Sequence, residues 1–188
     1  MPPARKLTDR PRQISTALRR KLAKVKLFLC DVDGVLTDAT VLITETSEIK
    51  QFNIQDGLGQ ILLQKGGIKV GWISARPSPA TEKRGRELKV DFLFQGKSGK
   101  VAAAEQILQQ TGLTFDEVCY AGDDIVDIAV MKRAGVAIAV TNAVSEAKAV
   151  ADYITAAHGG RGAIREIAEL ILKAQNKWQT VLDEYIHQ

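Results

Sequence analysis

Short apolar, β-branched runs recur along the chain at residues 25–30, 68–73 (IKVGWI), 90–94, 117–121 and 136–140. Runs of this length, bounded by polar residues, suit strands buried on both faces. Between them lie stretches with helical spacing at 56–65, 78–88, 98–111, 124–133 and 144–150, and a long one follows Gly162. Strand and helix patterns that alternate in this way predict an α/β fold. Right-handed βαβ units would build a mostly parallel sheet with helices on both faces. One segment breaks the rhythm. TVLITETSEIKQFN (residues 40–53) predicts a β-hairpin, two strand-like arms around a Glu-Thr-Ser turn.

A length of 188 residues fits one domain with a substantial core. No apolar stretch is long enough to span a bilayer, and no signal-peptide core follows the basic N-terminus. Cys30 and Cys119 each end an apolar run, so buried inert thiols are expected rather than a disulfide or a metal pair. These features together predict a cytoplasmic protein. The net charge of +4 is unevenly spread: residues 1–24 carry eight Lys/Arg against Asp9 alone, and the rest is acidic. Three segments follow: a basic arm over 1–24, a main domain over 25–175, and a C-terminal helical extension over 176–188. Within the arm, Ile14, Ala17, Leu18 and Leu22 have helical spacing, which predicts one short docked helix rather than a nucleic-acid or membrane contact.

Chemistry collects at the strand ends. CDVDGVLTD places Asp31 and Asp33 just after the first run, followed by Gly34. The second run ends in ISAR, with Ser74 and Arg76; QGKSGK places Lys100 at a helix start; and GDDIVD supplies Asp123, Asp124 and Asp127. In a parallel sheet these ends share one edge, where ligands bind. Two anions as close as Asp31 and Asp33 repel unless a cation is present. Oxygen ligands alone, few in number, suit Mg²⁺. A calcium loop starting at Asp31 is excluded, since Leu36 and Leu42 stand where it needs Gly and Glu.

DVDGVLTD, ISAR, QGKSGK and GDDIVD resemble, in order, the four motifs of the haloacid dehalogenase superfamily of phosphohydrolases, over about residues 26–172. FNIQDGLG and HGGRGAIREIAELIL resemble more narrowly the 3-deoxy-D-manno-octulosonate 8-phosphate (KDO 8-phosphate) phosphatases of that superfamily. The resemblance implies a Rossmann-like fold and a Mg²⁺-dependent phosphomonoester hydrolase acting on a sugar-acid phosphate. Asp31 would be the nucleophile and Asp33 the acid-base group, while Ser74 and Lys100 would bind the phosphoryl group. Asp31, the Asp33 carbonyl and Asp123 would hold the metal, and Asp124 and Asp127 would orient waters or Lys100. Asn53, Asp56, Gly57, Arg76, Arg84 and Arg161 match positions implied to contact substrate.

The spacing leaves no room for an inserted cap domain, either between Asp33 and Ser74 or between Ser74 and Lys100. An open site would admit water. The resembling family is tetrameric, so a homotetramer is expected, with hairpin 40–53 and Gly159–Gly162 at or near subunit contacts. Two positions depart from the pattern: Ala75 stands where glycine is usual, and Ile61 where a basic residue is common. Arg76 favours an octulosonate over the nononate relatives. The rival readings are a phosphatase for another sugar phosphate, a non-catalytic oligomerisation module of the sialic-acid-activating type, and a phospho-receiver domain. The intact motif set disfavours the module, and the strand carrying the DxD disfavours the receiver.

Overall fold

The computed structural model describes residues 14–97 and 99–186. The first thirteen residues of the predicted arm, Ser98 of QGKSGK and the last two residues lie outside the described residues. The elements follow in the order α1 (Thr16–Leu22), β1 (Leu27–Cys30), β2 (Leu42–Ile43), β3 (Glu48–Ile49), α2 (Ile54–Lys65), β4 (Lys69–Ser74), α3 (Pro79–Leu88) and β5 (Phe92–Gln95). Then come α4 (Lys100–Thr111), β6 (Val118–Gly122), α5 (Ile128–Met131), β7 (Val136–Ala139), α6 (Ser145–Ala149), β8 (Tyr153–Ile154), α7 (Ala163–Ala174) and α8 (Trp178–Ile186).

The six strands β5-β4-β1-β6-β7-β8 form one parallel sheet in that order, which confirms the α/β expectation. Every residue of β1 is buried, as a central strand between two helical layers requires. The chain leaves β1 toward β4 on one side and later returns to β6 on the other. β1 therefore marks the reversal of strand order, where the crossover loops part and leave a crevice. Register puts the site there: Cys30 pairs with Trp72 on β4 and with Ala121 on β6, so the residues after these strands emerge at one edge.

The helices pack by the apolar stripes the sequence displays. On α7, Ile164, Ile167, Ala168, Ile171 and Leu172 are buried, a 3.6-residue stripe in the core of a helix packed on α2 and α1. Asp56, near the start of α2, accepts hydrogen bonds from the backbone N–H groups of Gly162 (3.0 Å) and Arg165 (2.9 Å), capping α7. Such a cap contributes about 1 kcal/mol. Helix α1 is capped by Ser15 and buries Leu18 and Leu22, and the Gln175 amide donates to the Leu22 and Val25 carbonyls. The described part of the arm is thus docked on the domain. Helix α8 packs on the same chain through buried Val181 and a Lys65–Glu184 ion pair.

Three details differ from the sequence expectation. The predicted helix 124–133 is a 3₁₀ turn, Ile125–Asp127, followed by the single turn of α5. The Asp127 carboxylate accepts the backbone N–H groups of Asp123 and Asp124 and so tightens the start. The hairpin is reduced to two residues per strand around Thr44–Ser47, closed by a Thr44–Ser47 hydrogen bond. Strand β8 has only two residues, too few to carry a periodic pattern.

Candidate active site

Asp31 follows β1 directly, its N–H bonded to the Ala121 carbonyl of β6, so its side chain begins where two central strands end. The chain then turns through Val32–Thr37, closed by Leu36 N–H to the Val32 carbonyl and by Gly34 N–H to Thr37 Oγ1. Gly34 has φ +93°, and a Cβ there would lie 2.0 Å from Asp123 Oδ2. Glycine thus serves both the left-handed turn and the close approach of the Asp123 carboxylate.

Lys100, the first residue of α4, crosses beneath this turn. Its Nζ lies 2.9 Å from Asp31 Oδ2 and 2.7 Å from Asp127 Oδ1, with all three side chains nearly or fully buried. Asp127 is saturated: Oδ1 also accepts from Tyr120 Oη at 2.6 Å, and Oδ2 takes two backbone N–H groups. Such a carboxylate fixes Lys100 rather than reaching for a ligand. Asp123 is the opposite case, because its buried Oδ1 has no hydrogen-bond partner.

The electrostatics reflect this crowding. Burial pushes the Asp31 carboxyl up to about 6; Lys100 opposes that rise and Asp127 adds to it. Burial, then repulsion from Asp31 and Asp127, raises Asp123 to about 7. Burial alone would depress Lys100, but its two carboxylate partners outweigh it and hold the ammonium above its ordinary value. One oxygen from each of Asp31, Asp123 and Asp127 lies within 4.8 Å of the others, close enough to share a metal ion. Because Asp127 is already occupied, Asp31 and Asp123 are the members with capacity to spare. A hard divalent cation meets that need, since it would occupy the orphaned oxygen and offset the repulsion.

The remaining predicted residues divide. Asp33 stands at the mouth, paired with Lys50 Nζ. Ser74, at the end of β4, is buried and exchanges hydrogen bonds with the backbone of Arg76, which closes its own loop. Asp124 is exposed and caps the 3₁₀ turn through Ile125 N–H, apart from the Lys100 network. Asn53 caps α2 through the N–H groups of Gln55 and Asp56. Gly57 lies against Arg84, where a Cβ would meet Nη2 at 2.4 Å, and Arg84 pairs with Glu87. Arg76 pairs with Glu48 of β3, and Arg161 with Asp38. Asn53 and Arg161 share a cavity of about 70 Å³ with Asp38, Gln51, Phe52 and Gly160. Asp56, by contrast, spends both oxygens on the α7 cap.

The Gly159–Gly162 segment lies against the turn after Asp31. Gly160 N–H donates to the Val35 carbonyl, and a Cβ on Gly159 would sit 1.8 Å from the Gly34 oxygen. Asn142 completes the clamp: its Nδ2 donates to Gly34 O at 2.9 Å and its Oδ1 accepts from Gly159 N–H at 2.6 Å. Asn142, Tyr120 and Lys50 were not evident from sequence. Tyr120 lies inside an apolar strand, Asn142 follows Thr141 after β7, and Lys50 sits in the largely polar run EIKQ; only the fold shows what each touches.

A family model of haloacid dehalogenase-like hydrolases matches residues 90–167. The 3-deoxy-D-manno-octulosonate 8-phosphate phosphatase KdsC of Haemophilus influenzae is 37% identical over 161 residues, 85% of this chain and 89% of that protein. The crystal structure of the Moraxella catarrhalis 3-deoxy-D-manno-octulosonate 8-phosphate phosphatase, in complex with magnesium ion, phosphate ion and KDO, superposes with a TM-score of 0.87. It is 37% identical, and the match covers 89% of this chain and 97% of that one. A cobalt-bound form of the Haemophilus influenzae phosphatase superposes with a TM-score of 0.81 at 38% identity, covering 84% of this chain and 92% of that one.

Proposed function

The chain belongs to the KDO 8-phosphate phosphatases among the haloacid dehalogenase-like hydrolases, and from that premise we propose that it cleaves KDO 8-phosphate to KDO and inorganic phosphate through an aspartyl-phosphate intermediate. The observation that carries this reading is the Lys100 ammonium gripped between Asp31 and Asp127 beside the unpartnered Asp123 oxygen.

In the first step an Asp31 carboxylate oxygen attacks phosphorus while the bond from phosphorus to the sugar oxygen breaks, and Asp33 delivers a proton to that oxygen. In the second, Asp33 takes a proton from water as the water oxygen attacks phosphorus. Asp31 leaves as a carboxylate and phosphate is released. Lys100 and Ser74 hold phosphoryl oxygens in the transition state. Lys100 gives up part of its contact with Asp31 to do so, while Asp127 keeps it in place. The fit of the donor set supports Mg²⁺ held by Asp31, the Asp33 carbonyl and Asp123, where the ion when bound would neutralise phosphoryl charge. Arg76 and Arg161 would exchange Glu48 and Asp38 for the substrate's anionic groups.

The hairpin exposes Leu42, Ile43 and Ile49, and among the described residues no inserted lid covers the site. This supports a homotetramer assembled in part through hairpin 40–53, testable by light scattering; an active monomer would refute it. No helix among the described residues is long and apolar enough to cross a membrane, and both cysteines are free and buried, which supports action in the cytoplasm. The direct experiment measures phosphate release from KDO 8-phosphate beside a panel of sugar and sugar-acid phosphates, with Mg²⁺ and with chelator. Fast Mg²⁺-dependent release from KDO 8-phosphate is expected; release only from another ester would keep the chemistry and overturn the substrate.

A further inference from the structure

Lys50 follows β3 on the second arm of the hairpin, and none of its side-chain surface is exposed. Removing an ammonium from water is costly unless its donors are met. Here Nζ lies 2.8 Å from Asp33 Oδ1 and 2.9 Å from Oδ2, and it also donates to Thr81 Oγ1 at 3.2 Å. Thr81 is buried in the first turn of α3, just beyond the loop that Ser74 closes. One ammonium therefore ties together three segments distant in sequence: the hairpin arm, the turn after β1, and the start of α3. Asp33 itself keeps a quarter of its side chain exposed, as a group facing substrate and water must.

We propose that Lys50 is a positioning residue for the hydrolysis described above: it holds Asp33 by a hydrogen bond to Oδ2 and an ion-pair contact with Oδ1, and so steadies that carboxylate in relation to the departing sugar oxygen. The inference rests on Asp33 acting as the acid-base group. A carboxylate without such contacts swings freely about its Cβ–Cγ bond; the hydrogen bond to Oδ2 and the ammonium 2.8 Å from Oδ1 oppose that swing. Proton transfer demands heavy-atom approach within hydrogen-bond reach, and loss of alignment of this kind costs rate rather than affinity. Because Lys50 is carried by the hairpin, the position of that arm is also transmitted to Asp33.

The test compares wild type with Lys50→Met, Lys50→Arg, Thr81→Val, Asp33→Asn and the Lys50→Met/Asp33→Asn double variant. Each is assayed on KDO 8-phosphate and on p-nitrophenyl phosphate, with thermal melts to confirm folding. Lys50→Met is expected to lower kcat on KDO 8-phosphate about 10- to 100-fold, a fraction of what general acid-base catalysis supplies, with KM nearly unchanged. Lys50→Arg should restore part of the loss. In kcat/KM, the loss should be smaller on p-nitrophenyl phosphate, whose leaving group needs little protonation. The double variant should be no slower than Asp33→Asn alone, since the two residues act as one unit. An unchanged kcat in folded Lys50→Met, or losses that multiply in the double variant, would overturn the proposal. Should Lys50→Met not fold, unchanged kcat in both Lys50→Arg and Thr81→Val overturns it equally. A wild type that releases phosphate from no ester removes the hydrolase reading and this inference with it, while an active wild type with an indifferent Lys50 removes only the latter.

Discussion

The two sides of the cleft are built in opposite ways. On the chemical side, Asp31, Lys100, Asp127 and Tyr120 are buried on or just beyond β1, α4 and β6, and each charge has a named partner within 3 Å. On the side proposed to face the sugar, Arg161 is largely exposed and pairs with Asp38, and the part-exposed Arg76 pairs with the more buried Glu48. A buried ion network loses several kcal/mol when one partner is removed, whereas an exposed pair is worth about 0–1 kcal/mol. The first arrangement is preorganised and cannot adapt. The second is suited to exchange its protein carboxylates for the anions of the proposed substrate, at least cost for the exposed Arg161–Asp38 pair. Rate should therefore depend on the buried side and recognition on the exposed one.

The largest effect is expected from Asp31→Asn, which removes the proposed nucleophile. Turnover should fall on the order of 10⁴-fold or more while the fold persists, measured by phosphate release and circular dichroism; retained activity would dismiss Asp31 from its role. Lys100→Met comes next, with a loss of about 10²- to 10³-fold in kcat. It should also lower the melting temperature, because Asp31 and Asp127 are left buried without their cation.

The buried side should also respond to pH. Asp31 and Asp123 have folded values of about 6 and about 7, above the usual carboxylate range. Carboxyls raised on folding support the fold when protonated, and that support is lost as pH climbs from about 4 through 6 to 7. In chelator the melting temperature should therefore drop across this window. Added Mg²⁺ should raise it far more at pH 8 than at pH 5, where protons compete for the same oxygens. A gain independent of pH would show that the ion binds elsewhere. The smallest effect belongs to Arg161→Ala: KM should rise about 10-fold or less, with kcat and melting temperature nearly unchanged. A loss of kcat instead would make Arg161 part of the chemical side.

The same division explains what the sequence disclosed. The order of elements and the strand-end motifs were legible because each depends on local pattern: apolar runs give strands, and the turn after β1 needs its glycine. The charged members of the Lys100 network were legible, but Tyr120 and the wiring were not. Asp124 and Asp127 look alike in GDDIVD, yet one caps a turn in solvent and the other is buried under Lys100 and Tyr120. Lys50 and Asn142 were invisible, since their meaning lies in contacts 17 and 108 residues away in the chain. Asp56 and Gly57 were expected at the substrate. The fold occupies Asp56 with the α7 cap and sets Gly57 against Arg84, because packing between α2, α3 and α7 demands them there.

In the proposed reaction the buried pair, Asp31 and Lys100, performs covalent phosphoryl transfer. The most direct measurement is a rapid acid quench of the wild type turning over ³²P-labelled KDO 8-phosphate, followed by mapping of the labelled peptide. Acid-stable, base-labile label is expected on Asp31, formed within one turnover and absent from Asp31→Asn. Turnover without label on the protein, or label on another residue, would contradict that reaction.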